Sequence, residues 1–312
     1  MTSISKKHSL HKKNKIRQSL GSKIFDVFNV SFFILFAALI IFPFFNIIAI
    51  SLTSNAEFMR EPFIIWPKAP TFEAYNYLFS TPLIPRAYLV TLIVAAGGTG
   101  LAVLVTSMLA YGLSKKNMRG HKFFMIYLLI TMFFSGGLIP NYINMTRVLG
   151  LSNNLLALIL PSAVNVFNFI IIRSFFLQLP TSLEESAKID GANDLVILFR
   201  IIYPLSIPTL ATIAMFVAVG LWNSWFASML YMRDEKLYTL QLIIRNYVVR
   251  EARPADMQAL EGLRDAAGNP IHLNETGLKM ASAVASTLPM LGIYPFIQKY
   301  FEKGVTIGAI KG

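Results

Sequence analysis

The residues best placed to do chemistry are two adjacent carboxylates, Glu184 and Glu185, in the stretch LPTSLEESAKIDGANDLVILFRIIYPLSIP at residues 179–208. Paired carboxylates can work as general acid and base or help to hold a metal. No such partner set accompanies them: His8, His11, His121 and His272 are scattered, and the chain has no cysteine. What the pair can do, together with Asp190, is accept charge-assisted hydrogen bonds from arginines or lysines of a partner. Ser182 followed three residues later by Glu185 has the form of a capping box, and Thr181 with Glu184 offers a second register. Gly191 supplies the left-handed position that would end such a helix, and Asn193 or Asp194 can cap another. The stretch predicts a short helix, a glycine turn and a second helix. Ser186 and Ala187 are small enough to let another surface approach closely. On spacing alone this is either a protruding docking knob or an ordinary helical loop with a solvated face.

Two other constellations invite chemistry. The glycine run Gly97-Gly98-Thr99-Gly100 lacks the Lys-Ser/Thr of a phosphate-binding loop. It predicts close packing of helices through small residues. Trp222, Asn223 and Trp225, with Asn165 and Asn168, offer aromatic faces and amides from which a substrate pathway could be built. The tryptophans serve equally as interfacial anchors, and the asparagines as hydrogen bonds between helices. No nucleophile–base pair, metal-ligand set or cofactor motif is found, so neither catalysis nor a cofactor is expected.

These residues are spaced along a chain of 312 residues that is 55% hydrophobic and only 14% charged. Soluble domains carry about 25% charged residues. Charge is absent from six windows, residues 27–56, 87–114, 123–146, 148–172, 201–232 and 280–298. Crossing a bilayer takes about 20 apolar residues, and a charge at its centre costs about 3 kcal/mol. The expectation is an all-α polytopic membrane protein with six transmembrane helices, near residues 28–52, 88–113, 123–140, 155–177, 205–231 and 279–298. A short helix is expected near 71–79 with Thr71 as its cap. Pro43, Pro161, Pro204, Pro208, Pro289 and Pro295 lie in or beside the spans, where they give either helix shape or a pathway of bent helices.

The net charge of +12 invites a nucleic-acid reading, but its distribution argues for topology instead. Seven basic residues precede the first acid, Asp26. The apolar stretch after them is longer than the roughly 7–15 residues of a removed signal segment. Lys115, Lys116, Arg119 and Lys122 crowd a short linker, and Lys299, Lys303 and Lys311 follow the last window. With six spans these share one face, which places both termini in the cytoplasm of a multi-pass cell-membrane protein. The divisions expected are a basic tail at 1–24, a six-helix transmembrane domain at 25–298 with a cytoplasmic loop at 179–204 and outer loops at 53–87 and 232–278, and a C-terminal tail at 299–312.

EESAKIDGA followed by IIYPLSIP resembles the signature loop of permease subunits of binding-protein-dependent ABC sugar importers. That pattern opens Glu-Ala-Ala, continues to a glycine and closes on Ile-x-Leu-Pro. Glu185, Ser186 and Ala187 take its first places, Gly191 the glycine, and Ile202, Tyr203 and Pro204 the ending, with Ser and Tyr as mild departures. SGGLIPNY at 135–142, the Trp222–Trp225 cluster and QKYFEKGVTIGAIKG at 298–312 are similar to the oligosaccharide and polysaccharide permeases of that family, which include the maltose type. The resemblance implies the type I importer permease fold. It implies an assembly with a second homologous permease subunit, two ATP-binding cassette subunits and an extracytoplasmic sugar-binding protein. It implies that Glu184, Glu185, Ser186, Ala187, Asp190, Gly191 and Ala192 couple to the ATPase. Two other classes stay open. An ion-gradient-driven secondary transporter would show ionisable groups inside its spans, and the central parts of these windows have none. A membrane-embedded enzyme would need a catalytic set at membrane depth, and none is present.

Overall fold

The first charge-free window folds as one helix, α1 (Leu20–Ser51), started by Ser19, whose hydroxyl accepts the Ser22 N–H at 3.2 Å. A computed structural model describes residues 19–61, 64–115, 117–249 and 275–309, with helices and no strand among the described residues. The basic tail before Ser19, Lys116 and residues 250–274 of the expected outer loop lie outside them. From residue 23 to residue 45 α1 is exposed around its whole circumference, which an apolar helix accepts only in lipid or against a partner.

The segment after α1 is ordered by hydrogen bonds back to it. Asn46 donates to the Ile64 carbonyl at 2.7 Å, and the Ser51 and Tyr75 hydroxyls meet at 2.7 Å. Two short helices lie here, α2 (Asn55–Arg60), capped by Ser54, and α3 (Glu73–Ser80). The expected cap of α3 is not made. The helix starts after Phe72, and the Thr71 N–H donates to the Leu52 carbonyl at 2.8 Å.

α4 (Leu83–Ser114) is the central element. At 1.5 Å per residue it is about 48 Å long. Its sequence is apolar all round, so its inward stripe shows only in the fold: Ala87, Val90, Val94, Gly98, Ala102, Thr106, Ala110 and Leu113 are buried.

The third window breaks. α5 (His121–Phe133) stops after thirteen residues, and the chain then turns by 112° into the helical run Leu138–Val148. That run comprises α6 (Leu138–Ile143) and a π turn (Asn144–Val148). The bend lies at Ser135-Gly136-Gly137, where Gly137 has φ +87°, a backbone that other residues rarely adopt. A straight helix over 123–140 is therefore not formed. The fourth window bends by 44° between α7 (Leu156–Ile159), with its 3₁₀ turn Leu160–Ser162, and α8 (Val166–Phe176). Pro161 removes a donor there, and the Asn165 side chain restarts the helix by accepting the Asn168 N–H at 3.0 Å.

Beyond α8 come α9 (Thr181–Ile189) and a continuous helical run, Asp194–Trp222. The run consists of α10 (Asp194–Ile197), a π turn (Leu198–Ile202) and α11 (Tyr203–Trp222). Pro204 cannot donate to the carbonyl four residues back, and the turn just before it widens to π pitch. The fifth span thus starts about a dozen residues before the expected 205 and ends at Trp222, short of the expected 231. α12 (Phe226–Tyr231) and α13 (Leu240–Val249) follow as separate short helices. α14 (Glu275–Ala309) holds Pro289 and Pro295, and its backbone stays helical through positions expected to be tail.

Among the described residues, three unbroken helices, Leu20–Ser51, Leu83–Ser114 and Asp194–Trp222, are long and apolar enough to cross a membrane. Counting each bent pair as one span raises the number to five. α4 packs on α8 and α11, and α14 packs on α1, α3, α11 and α13. Buried apolar side chains gather at both ends of α4. Tyr111, Phe169, Phe176, Ile197 and Ile213 lie at the end that bears the basic linker. Leu78, Ile84, Trp222, Leu240 and Leu278, with Val90, Leu158 and Tyr231, lie at the far end.

Candidate functional site: an exposed helix and a cavity with two asparagines

α9 is amphipathic, and its two faces have different fates. Ala187 is buried among Tyr111, Phe176 and Ile197. Glu184 turns to the same side and pairs with Lys115, the residue that follows α4, with side-chain exposures of 24% and 29%. Ser182, Glu185, Ser186 and Asp190 are exposed. Ile189 is 86% exposed, a large apolar side chain on an otherwise polar face. The expected capping box is absent. Pro180 occupies the cap position and no side chain bonds the first turn, so Ser182 already lies inside the helix, too late to cap it.

The glycine turn forms as expected. Gly191 has φ +82°. Its N–H donates to the Lys188 carbonyl at 3.1 Å, and the Ala192 N–H donates to the Ala187 carbonyl at 2.9 Å. These are the two bonds of a Schellman motif, which closes the helix without help from outside. Ala192 packs at the edge of the same core as Ala187. Of the two caps open for the next helix, Asn193 is the one used, its side chain accepting the Val196 N–H at 2.9 Å. Lys188 reaches Asp194 across the turn at 3.4 Å.

The end of α4 beneath α9 is gripped a second time. Arg173 of α8 donates from Nε to the Leu113 carbonyl at 2.8 Å, and its Nη2 lies 3.3 Å from His121 Nε2. Lys115 Nζ sits 4.0 Å above the Tyr111 ring. A cation at the carbonyl end of a helix is favourable.

The five pathway candidates separate. Asn165 and Asn168 meet on the wall of a cavity of about 390 Å³ between α8 and α11, with Phe167, Phe216, Ser162 and Gly220. Its volume falls in the range of about 300–1,000 Å³ typical of ligand sites. Asn168 is 8% exposed, and its carboxamide has no hydrogen-bond partner among the described residues. Trp222, Asn223 and Trp225 do not line this cavity. Trp222 is 2% exposed and donates from Nε1 to the Ser286 carbonyl at 3.2 Å, tying α11 to α14. Asn223 caps the end of α11 and returns a bond to the Val219 carbonyl at 3.0 Å. Trp225 carries the Arg245 guanidinium 4.3 Å from its ring centre.

The glycine run acts as a packing surface. A side chain added at Gly98 would strike Leu221 and Ser162, both on the cavity wall, and one at Gly97 would touch Ile159. Residues that sequence reasoning passed over are Lys115, Arg173, Ile189, Phe167 and Phe216. Ile189 was legible, since it lies off the face shared by Glu184 and Ala187. The two phenylalanines were not, because only the packing of α8 against α11 brings them together.

No protein-family model matches the chain. It is 40% identical to the polygalacturonan/rhamnogalacturonan transport system permease protein YtcP of Bacillus subtilis over 293 residues, 94% of this chain and 100% of that one. It is 41% identical to Protein LplC of the same organism, over 98% of this chain and 99% of the relative. Among solved structures, it is similar to a chain of a bacterial ABC transporter involved in the import of the acidic polysaccharide alginate. There the TM-score is 0.84 and the identity 30%, covering 92% of this chain and 100% of that one. A mostly helical chain with several membrane-crossing helices, an exposed capped helix between two of them and near-complete similarity to these permeases belongs to the permease subunits of ABC sugar importers.

Proposed function

We propose that this chain forms one half of a six-span channel, with both termini cytoplasmic, that moves an oligosaccharide or polysaccharide-derived sugar inward. Three unbroken helices, the two bent pairs and α14 make up the six spans. The crowding of Lys and Arg in the 115–122 linker and at both chain ends supports the orientation. The partners are a second homologous permease, two ATP-binding cassette subunits that hydrolyse ATP, and an extracytoplasmic sugar-binding protein. A relative named for polygalacturonan and rhamnogalacturonan transport supports a polysaccharide-derived cargo.

The observation that carries the coupling role is the outer face of α9, a self-closed helix that presents Ile189 at 86% exposure among Glu185, Ser186 and Asp190. An apolar anchor ringed by hydrogen-bonding groups is the composition of an interface hot spot. The cavity with Asn165, Asn168, Phe167 and Phe216 is the proposed sugar contact of this half-channel, its amides facing hydroxyls and its rings facing C–H surfaces.

Cysteine at position 189 is expected to crosslink to the ATPase subunit in the assembled transporter. Ile189→Asp should weaken ATPase association by about 2 kcal/mol, roughly thirtyfold, with membrane insertion unchanged. Absence of any crosslink from residues 182–192 to an ATPase would overturn the coupling role.

A further inference from the structure

α9 is joined to the channel covalently at both ends, to α8 through residues 177–180 and to α10 and α11 through Gly191 and Asn193. Two side chains of its inner face add non-covalent ties: Ala187 packs into the core beside Tyr111, and Glu184 forms the ion pair with Lys115 at the end of α4. We infer that the Lys115–Glu184 pair is the joint through which a displacement of α9 reaches the cavity wall, with α4 as the lever. This rests on the reading of α9 as the ATPase contact.

Three features make the pair a joint rather than a loose surface contact. Both side chains are about three-quarters covered, so screening is weaker than for exposed pairs, whose worth is small. Lys115 is also held from the other side by the Tyr111 ring, which is 6% exposed and meets Phe176 edge-on. The backbone two residues before Lys115 accepts the Arg173 guanidinium, so the tip of α4 is clasped by α8 and α9 together.

The lever is continuous. α4 runs unbroken from Leu83 to Ser114, and its only proline, Pro85, stands in the first turn at the far end. From Lys115 back to Gly98 is seventeen residues, about 25 Å of helix. At Gly98 the helix packs closely on Leu221 and Ser162, so that an added Cβ would displace the Leu221 side chain, and both residues line the cavity. A shift of the α4 tip therefore presses directly on that wall.

The test uses the complete transporter in proteoliposomes, with sugar uptake and ATP hydrolysis measured together. Lys115→Glu and Glu184→Lys alone should each cut sugar imported per ATP hydrolysed by about tenfold, within the usual range of coupling between sites. The double exchange should recover most of that ratio. Lys115→Met keeps the apolar stem on Tyr111 and should also uncouple. Unchanged ratios in the single variants, or no recovery in a double variant that still binds its ATPases, would overturn the joint. So would failure of all four variants to assemble, which would place the pair in folding instead. If the unaltered complex imports no sugar, the channel reading itself falls, whereas import that is indifferent to the pair removes only the lever.

Discussion

At the scale of single residues, hydrogen bonding separates the polar groups committed to structure from those left open. Trp222 and Asn168 are both nearly inaccessible, yet Trp222 spends its N–H on a backbone carbonyl of α14 while Asn168 keeps its carboxamide free of partners among the described residues. That carboxamide lines the cavity, where a bound hydroxyl would give it a hydrogen bond. Asn168→Leu is close in volume and should cut uptake at low sugar concentration by about tenfold, the worth of one or two hydrogen bonds, with basal ATP hydrolysis unchanged. Uptake assays across sugar concentrations check this. The residue types of the candidate site were legible in the sequence, but their assignment to cavity or core was not. Trp222 and Asn165 look alike as polar-capable residues in apolar windows, and only the neighbouring helices separate them. Glu184 and Glu185 are adjacent in sequence, yet the helical rotation of about 100° between them sends one to Lys115 and the other outward.

At the scale of elements, the turn after α9 is the feature most sensitive to a single change. Its left-handed residue is Gly191, and proline there would fix φ near −65° and remove the N–H that bonds Lys188. Gly191→Pro should abolish uptake while the protein still reaches the membrane. Gly191→Ala should be milder, since an alanine in this backbone region costs about 1–2 kcal/mol. Uptake and membrane abundance, measured side by side, distinguish the two. Elements were legible where composition alone dictates them: α1, α4 and the glycine turn follow from uninterrupted apolar length and from one glycine. The bends were less so. Pro161 and Gly136-Gly137 mark places where a helix can break, but the angles of 44° and 112° depend on what each half packs against. The capping box failed because the helix is capped at Pro180, two residues before the Ser182 position that the serine pattern requires.

At the scale of the whole molecule, the proposed orientation makes a topological prediction. Lys236 and Lys122 are both exposed and lie beyond opposite ends of the bundle. A cysteine at 236 should react with an impermeant reagent added to intact cells, and one at 122 only after permeabilisation. The reverse pattern would invert the chain in the membrane. α1 bears on every such measurement. Phe28, Phe33, Leu35, Leu39 and Phe44 are each more than half exposed, on all sides of one helix. No aqueous phase tolerates that surface, so whatever surrounds it is part of the native state. A melting temperature for this chain is then a joint property of polypeptide and environment. It will change with the detergent, the lipid and the concentration of companion subunits even when no residue has been altered.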